Sequence, residues 1–334
     1  GMSVLVDMLA YNTHYLGYNA NMLANEMFLD SADLRSSVVS KAKQVGYTPT
    51  SSTAATAVVD VVVNNASGSA ITMSRGTKFT TTVDNIAYNF VNNSELSITP
   101  TDGVYKFSNV TLSEGTFLNF KYTANTSDTD QRFIIPNNNV DTTTLTIKVQ
   151  ESSSDATTNT YTLATGITGL DSTSKVYFLQ EVENGRYEVT FGDGVLGKAI
   201  ADGNIIIMDY IVCNRDGPNG ATTFTLSGNI SGFSSATVTT ITNANNGSGP
   251  ESIESIKYNA PRDYTAQDRA VTADDYKVLV KSLYANAQAV QVYGGEDAAT
   301  PDYGKVYISI KAKSGANLTE TTKASIVTSL KQYA

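Results

Sequence analysis

The stretch GRYEVTFGDGVLGKAIADGN, residues 185–204, holds Gly192, Gly194 and Gly197 at the spacing G-x-G-x-x-G, which in a nucleotide-binding protein cradles a pyrophosphate. Such a loop needs its glycines to open a helix whose N-terminal amides hold the anion, and Gly203 interrupts any helix here before two turns form. The surroundings read as β-structure instead. Tyr187, Val189 and Phe191 alternate with polar residues, Asp193-Gly194 is a turn signal, and Ile205 to Val212 is an apolar run rich in β-branched residues. The pattern predicts strand, turn, short link, strand, with Gly192, Asp193 and Gly194 forming a hairpin connection in which Gly194 takes positive φ. Replacing Gly194 by Val is then expected to cost about 1–3 kcal/mol. No cofactor follows from the glycines.

Outward from this point the pattern changes twice. Residues up to 46 carry Met8, Leu9, Tyr15, Leu16, Met22 and Leu23 at helical spacings, and Asp30 is placed to cap a second helix through Leu34, Val38, Val39 and Ala42 that Gly46 ends. From Ala54 to about Thr242 short β-type runs alternate with turn clusters: Val58–Val63, Gly76–Thr82, Thr116–Thr123, Thr143–Gln150 and Lys175–Glu181. The last segment predicts helix Ala273–Leu283, strands Ala289–Tyr293 and Lys305–Ala312, and helix Glu320–Gln332. The expected class is α+β and multidomain: an N-terminal helical segment (1–50), two mostly antiparallel β domains (51–155 and 156–250) and a small α-β-β-α module (251–334). Gly1 ahead of Met2 reads as a remnant of tag removal, and a helical pattern still running at Lys331-Gln332 predicts a piece of a longer protein.

Composition narrows the chemistry. A formal charge of −9, with 32 acidic against 23 basic residues and no basic cluster, opposes nucleic-acid binding. There is no apolar run near the length of a membrane span and no signal-peptide layout at the start, so no membrane partner is expected. The single cysteine, Cys213, ends an apolar strand, where a small buried hydrophobe is the expected role. The only histidine, His14, lies in the helical N-terminus away from any nucleophile elbow, which argues against a triad or a His-rich metal site and for a surface or core-edge histidine. Acidic pairs Asp128/Asp130 and Glu181/Glu183 could flank a sugar only if both carboxylates shared a face. Asn243, Asn245, Asn246 and Gly247 lack the leading Asp and the twelfth-position Glu of a calcium loop and are expected to form a flexible linker into Pro250. In RAVTADDY, Asp274 and Asp275 lie beside Asp268 and Arg269, yet Thr272 followed three residues on by Asp275 is a capping-box start that accounts for these carboxylates structurally. Arg269 is left with two options, a local Asp or a neighbouring subunit. No catalytic, metal or cofactor residues are expected, no small-molecule substrate, and no enzyme.

Three blocks carry a family likeness. YEVTFGDGVLG with its following strand and the polar loop Asn214–Gly220, ESIESIKYNAPRDYTAQDRAVTADDYKVLV from Glu251 to Val280, and NEMFLDSADLRSSVVSKAKQVGYTP from Asn25 to Pro49 together resemble the J-like baseplate proteins of contractile-tailed bacteriophages. The likeness covers about Asn25 to Lys311. It implies a structural subunit of the virion tail, assembled in the host bacterial cytoplasm: a baseplate wedge component that associates with itself, contacts other wedge proteins, closes a ring around the hub and rearranges on contraction. The residues alone leave a second option, a carbohydrate-binding β protein of tail-fibre or adhesin type, which the absence of Trp weakens. Self-association is expected at the two ends of the chain, because the N-terminal helices spread apolar residues over more than one face and a two-stranded sheet leaves unpaired edges.

Overall fold

Thr56–Val63 alternates half-buried and buried positions, with Ala57, Val59, Val61 and Val63 turned inward. That period of two recurs through the middle of the chain and builds two sheets. The computed structural model describes residues 2–164, 169–266, 269–284, 287–298, 300–312, 318, 320–331 and 333. Two helices lead, α1 (Met2–Asn25) and α2 (Arg35–Gln44). Strands β1 (Thr56–Val63), β2 (Ile71–Met73), β3 (Lys78–Val83), β4 (Ile86–Asn92), β5 (Leu96–Ile98), β6 (Tyr105–Glu114), β7 (Thr116–Thr123), β8 (Phe133–Ile134), β9 (Val140–Ser152) and β10 (Asp155–Leu163) follow. Then come β11 (Val176–Glu181), β12 (Tyr187–Phe191), β13 (Ile205–Val212), β14 (Thr225–Leu226) and β15 (Ala236–Asn245). The chain closes with α3 (Ile253–Ala266), α4 (Ala273–Leu283), the hairpin β16 (Ala287–Gly294) and β17 (Val306–Ala312), and α5 (Glu320–Leu330).

The first sheet has the order β14-β3-β4-β6-β1-β15, and the second β7-β13-β9-β10-β11-β12-β8; β2 pairs only with β5. Pairing is antiparallel except between β10 and β11. The second sheet is thus nested inside the first, whose strands lie on both sides of it in sequence. Sheet membership does not change near residue 155, where the sequence pattern suggests a split. Each sheet curls over its own apolar core. Phe79, Phe90, Phe107 and Leu112 fill the first, and Ile147, Val189, Ile206 and Met208 the second. In the second sheet the two edge strands meet: the Tyr122 hydroxyl donates to Ile134 O at 2.7 Å, and Phe120, Tyr122, Phe133, Phe191 and Tyr161 form a chain of edge-to-face rings 5.0–5.8 Å apart.

Two expectations fail at the helices. Asp30 does not cap α2, which starts after Leu34; the Glu26 carboxylate instead accepts the amides of Asp33 (2.9 Å) and Leu34 (3.3 Å). Hydrogen bonds from Ser37 and from the Asp33 amide hold Glu26 below its usual range. Helix α3 was not expected at all. Pro261 sits inside it and removes the amide that would reach Lys257 O, while Ser252 Oγ takes the Ser255 amide at its start. α3 packs on α2 through Val38, Val39, Ala42, Ile256 and Ala260, a small core separate from both sheets. The stretch Asn246–Glu251 is likewise no free linker. It runs antiparallel to Thr50–Thr53, with Thr53 N to Ser248 O at 3.0 Å, Ser248 N to Thr53 O at 3.1 Å and Glu251 N to Thr50 O at 3.0 Å. The C-terminal α-β-β-α arrangement is as the pattern predicts, with a fourth core around Leu279, Val280, Ile326 and Leu330. Gln332 lies outside the described residues.

Candidate assembly surfaces

Helix α1 is 24 residues long and buries none of them. Val4, Met8, Tyr11, Tyr15, Tyr18 and Met22 follow one heptad-type stripe, and Leu5, Leu9, Leu16 and Leu23 follow a second, one residue further round. All are 46–68% exposed. Exposed Met27 and Phe28 extend the surface into the turn before α2. Apart from the Tyr11–Tyr15 ring contact at 4.8 Å, these side chains meet water along the whole helix. A stripe of this extent on a water-facing helix is a candidate association surface. No described helix is long and apolar enough to cross a membrane.

The C-terminal module offers a second such surface. α4 starts as its sequence predicts: Asp275 N donates to Thr272 Oγ1 at 3.2 Å and Thr272 N donates to Asp275 Oδ2 at 2.8 Å, closing a capping box. Partial burial works to raise the Asp275 pKa, but the Thr272 and Val271 amides outweigh it and leave the group below its usual range. Arg269 adds a favourable charge to that carboxylate; Asp268 lies outside the described residues. Asp274 pairs with Lys277 at 2.8 Å along the helix surface. Val290, Ile308 and Ile310 face the helices, whereas the other face of the hairpin carries Tyr293 and Tyr307 stacked at 5.4 Å and 13°. Tyr303, in the connecting loop, is 80% exposed. A two-stranded sheet with one bare face and open edges needs cover.

The glycine-rich stretch of the second sheet is a folded turn. Gly194 has φ +89° and its amide donates to Gly197 O at 3.0 Å, while Asp193 Oδ1 accepts Val195 N and Leu196 N, both at 2.9 Å. The Leu196 and Val195 amides hold the Asp193 carboxyl below its usual range. The flanking strands do not pair with each other as a hairpin would: β12 pairs with β11 and β8, and β13 with β7 and β9. A link of more than a dozen residues lets them part. The tightest position is Gly192, where a Cβ would lie 2.3 Å from the Gly197 carbonyl carbon and 2.5 Å from Leu196 O. No helix opens here to hold a phosphate.

The remaining candidates are placed apart. His14 is exposed on α1. Asp128 Oδ1 accepts the Asp130 amide at 3.1 Å, so this pair folds on itself. Glu181 is buried against Arg35, while Glu183 is exposed in the next turn. Asn243 and Asn245 belong to β15, and Gly247 is clamped by the Asn219 side chain, which donates to Gly247 O (2.9 Å) and accepts Gly247 N (3.0 Å). Cys213 is buried, and burial pushes its thiol up to about 11.

One cluster the sequence did not suggest joins distant segments. Arg35, at the start of α2, makes a two-pronged ion pair with Glu181 (Nε–Oε1 2.7 Å, Nη2–Oε2 2.9 Å) and donates through Nη1 to Glu251 O. The Glu251 carboxylate in turn accepts the hydroxyls of Tyr47 (2.8 Å) and Ser255 (2.6 Å), the Asn259 amide (2.9 Å) and Thr50 N (3.2 Å).

Comparison with known proteins matches both ends of the chain. Residues 1–47 match a family model described as "Baseplate wedge protein gp6-like, helical domain", and residues 272–334 match "Baseplate structural protein gp6, C-terminal domain I". The chain is 29% identical over 359 aligned positions to "Baseplate wedge protein gp6" of Enterobacteria phage T4, covering 99% of this chain and 53% of that protein. It thus spans about half the length of the curated relative that it matches. A cryo-EM structure of the anti-feeding prophage (AFP) baseplate aligns with 98% of the chain and 63% of the matched chain at 12% identity and a TM-score of 0.34, too loose to carry a structural argument. The matches support the wedge-protein part of the likeness drawn from the sequence; the J-like label remains a resemblance.

Proposed function

We propose that this chain is part of a gp6-like baseplate wedge protein, a structural component of the tail of a contractile bacteriophage. It works by assembly and without catalysis. The two curled sheets are self-contained spacers, and the ends make the contacts: α1 with another copy or a neighbouring wedge protein, and the hairpin module with a second partner surface. Two different contacts, one at each end, are what a subunit needs to build a closed ring. The single observation that carries this reading is α1, a 24-residue helix none of whose residues is buried by its own chain. The matched segments at residues 1–47 and 272–334 coincide with the two surfaces left uncovered. On tail contraction the same two contacts rearrange.

Residues 51–250, which hold both sheets and stop short of α3, provide the test. In light scattering across a concentration series this piece is expected to stay monomeric while the full chain forms dimers or larger species. Association of the central piece as strong as that of the full chain would place the contacts in the sheets and defeat the proposal.

A further inference from the structure

The α2–α3 pair and the second sheet have separate apolar cores. Between them lies a cleft of about 900 Å³ with a mixed polar and apolar lining, walled on one side by Leu34, Val39 and Lys43 and on the other by Val182, Glu183 and Arg132. Few bonds cross it. The strongest is the Arg35–Glu181 pair, whose carboxylate side chain is only 2% exposed while the arginine is 28% exposed. Beside it, the Tyr187 hydroxyl reaches Pro49 O at 3.4 Å. The helix pair connects onward through the two segments Thr50–Thr53 and Asn246–Glu251, hydrogen-bonded to each other. In this strap the Thr50–Thr53 segment is itself fixed to the second sheet at both ends: Ser51 Oγ lies 2.9 Å from Thr142 Oγ1, and Ala54 N donates to Asp141 Oδ2 at 2.9 Å.

We propose that the Arg35–Glu181 pair is a latch across this cleft: closed, it fixes the α2–α3 pair against the second sheet, and opened, it lets the pair pivot on the strap. Three features give the latch its action. Its fork geometry sets an angle as well as a distance. Its third bond, to Glu251 O, ties the guanidinium to the strap, so opening loosens the pivot together with the clasp. No apolar core shared by the helix pair and the second sheet lies beneath it, and breaking it leaves the buried Glu181 carboxylate without its cation. The inference does not depend on the assembly reading and holds for the isolated chain.

Double electron–electron resonance on the full chain tests it, with Cys213→Ala and spin labels at Gln44→Cys on α2 and Thr160→Cys on β10, both exposed positions. A control pair, Lys121→Cys and Thr160→Cys, lies wholly within the second sheet. The parent is expected to give narrow distance distributions for both pairs. Arg35→Met and, as a milder second variant, Glu181→Gln should each at least double the width for the 44–160 pair and leave the 121–160 pair unchanged. An unchanged 44–160 distribution in both variants, or equal broadening of the control, would overturn the latch.

Discussion

The middle of this molecule and its ends spend apolar residues in opposite ways. In the middle, Phe79, Phe90, Phe107, Ile147, Ile206 and Met208 are fully buried by strands of the same chain. At the N-terminal end, Leu9, Leu16 and Leu23 are 65%, 63% and 68% exposed although they sit on a regular 24-residue helix. The two sheets therefore bury their own apolar faces, whereas α1 leaves its apolar stripes open, as the proposed assembly role requires. Burial of apolar area is the main stabilising term in folding and association alike, so on the proposed reading the middle contributes to folding and the end to assembly.

Substitution should separate the two roles cleanly. Phe90→Ala, in the first sheet, is expected to cost about 3–5 kcal/mol of folding stability, while Leu16→Ala on α1 should change it by less than about 0.5 kcal/mol; denaturant titration of dilute protein measures both. A large loss from Leu16→Ala at a concentration where the chain is monomeric would erase the contrast.

Within the middle, the turn at residues 192–197 should be more sensitive to close approach than to backbone handedness. Gly192→Ala drives a methyl into the backbone of Leu196 and Gly197 and is expected to cost about 3 kcal/mol. Gly194→Ala, with φ +89° but only Ala199 Cβ at 3.7 Å, should cost about 1 kcal/mol. Thermal melts of the two variants check the order, and the reverse order would show that φ dominates.

The smallest effect is a pH contrast. Burial raises the pKa of Glu114, which the Asn214 backbone and side-chain amides hold at 2.8 and 2.6 Å, with no ion pair to it among the described residues. Its contribution is thus fully present below the unfolded pKa and is lost as pH rises through the folded one. Glu188 is the opposite case: the Arg132 fork lowers its pKa, so its contribution is present above the unfolded value and is lost as pH falls. Measured as melting temperature relative to the parent, Glu114→Gln should become more favourable from pH 4 to pH 7, and Glu188→Gln less so. Parallel trends would contradict the assignment.

Much of this was legible from local pattern. Short β-type runs bounded by turn clusters located β1, β7 and β11, and Thr272 with Asp275 announced α4 because a capping box is written within four residues. What stayed hidden was non-local. The nesting of one sheet inside the other depends on which strand pairs with which, and the Tyr187–Phe191 and Ile205–Val212 strands look like a hairpin in sequence although neither pairs with the other. Pro261 masked α3 by removing the usual signature of a helix interior. The Arg35 cluster gave no signal at all, since its partners lie 146 and 216 residues away.

The most direct test of the central claim is the solution mass of the full chain carrying Leu9→Lys, Leu16→Lys and Leu23→Lys, measured by size-exclusion chromatography with light scattering beside the parent. The parent is expected to exceed its 35.6 kDa monomer mass increasingly with concentration, and the triple variant to associate far less at every concentration while melting at the same temperature in dilute solution. A triple variant that associates as strongly as the parent would show that α1 is not the surface on which this protein assembles.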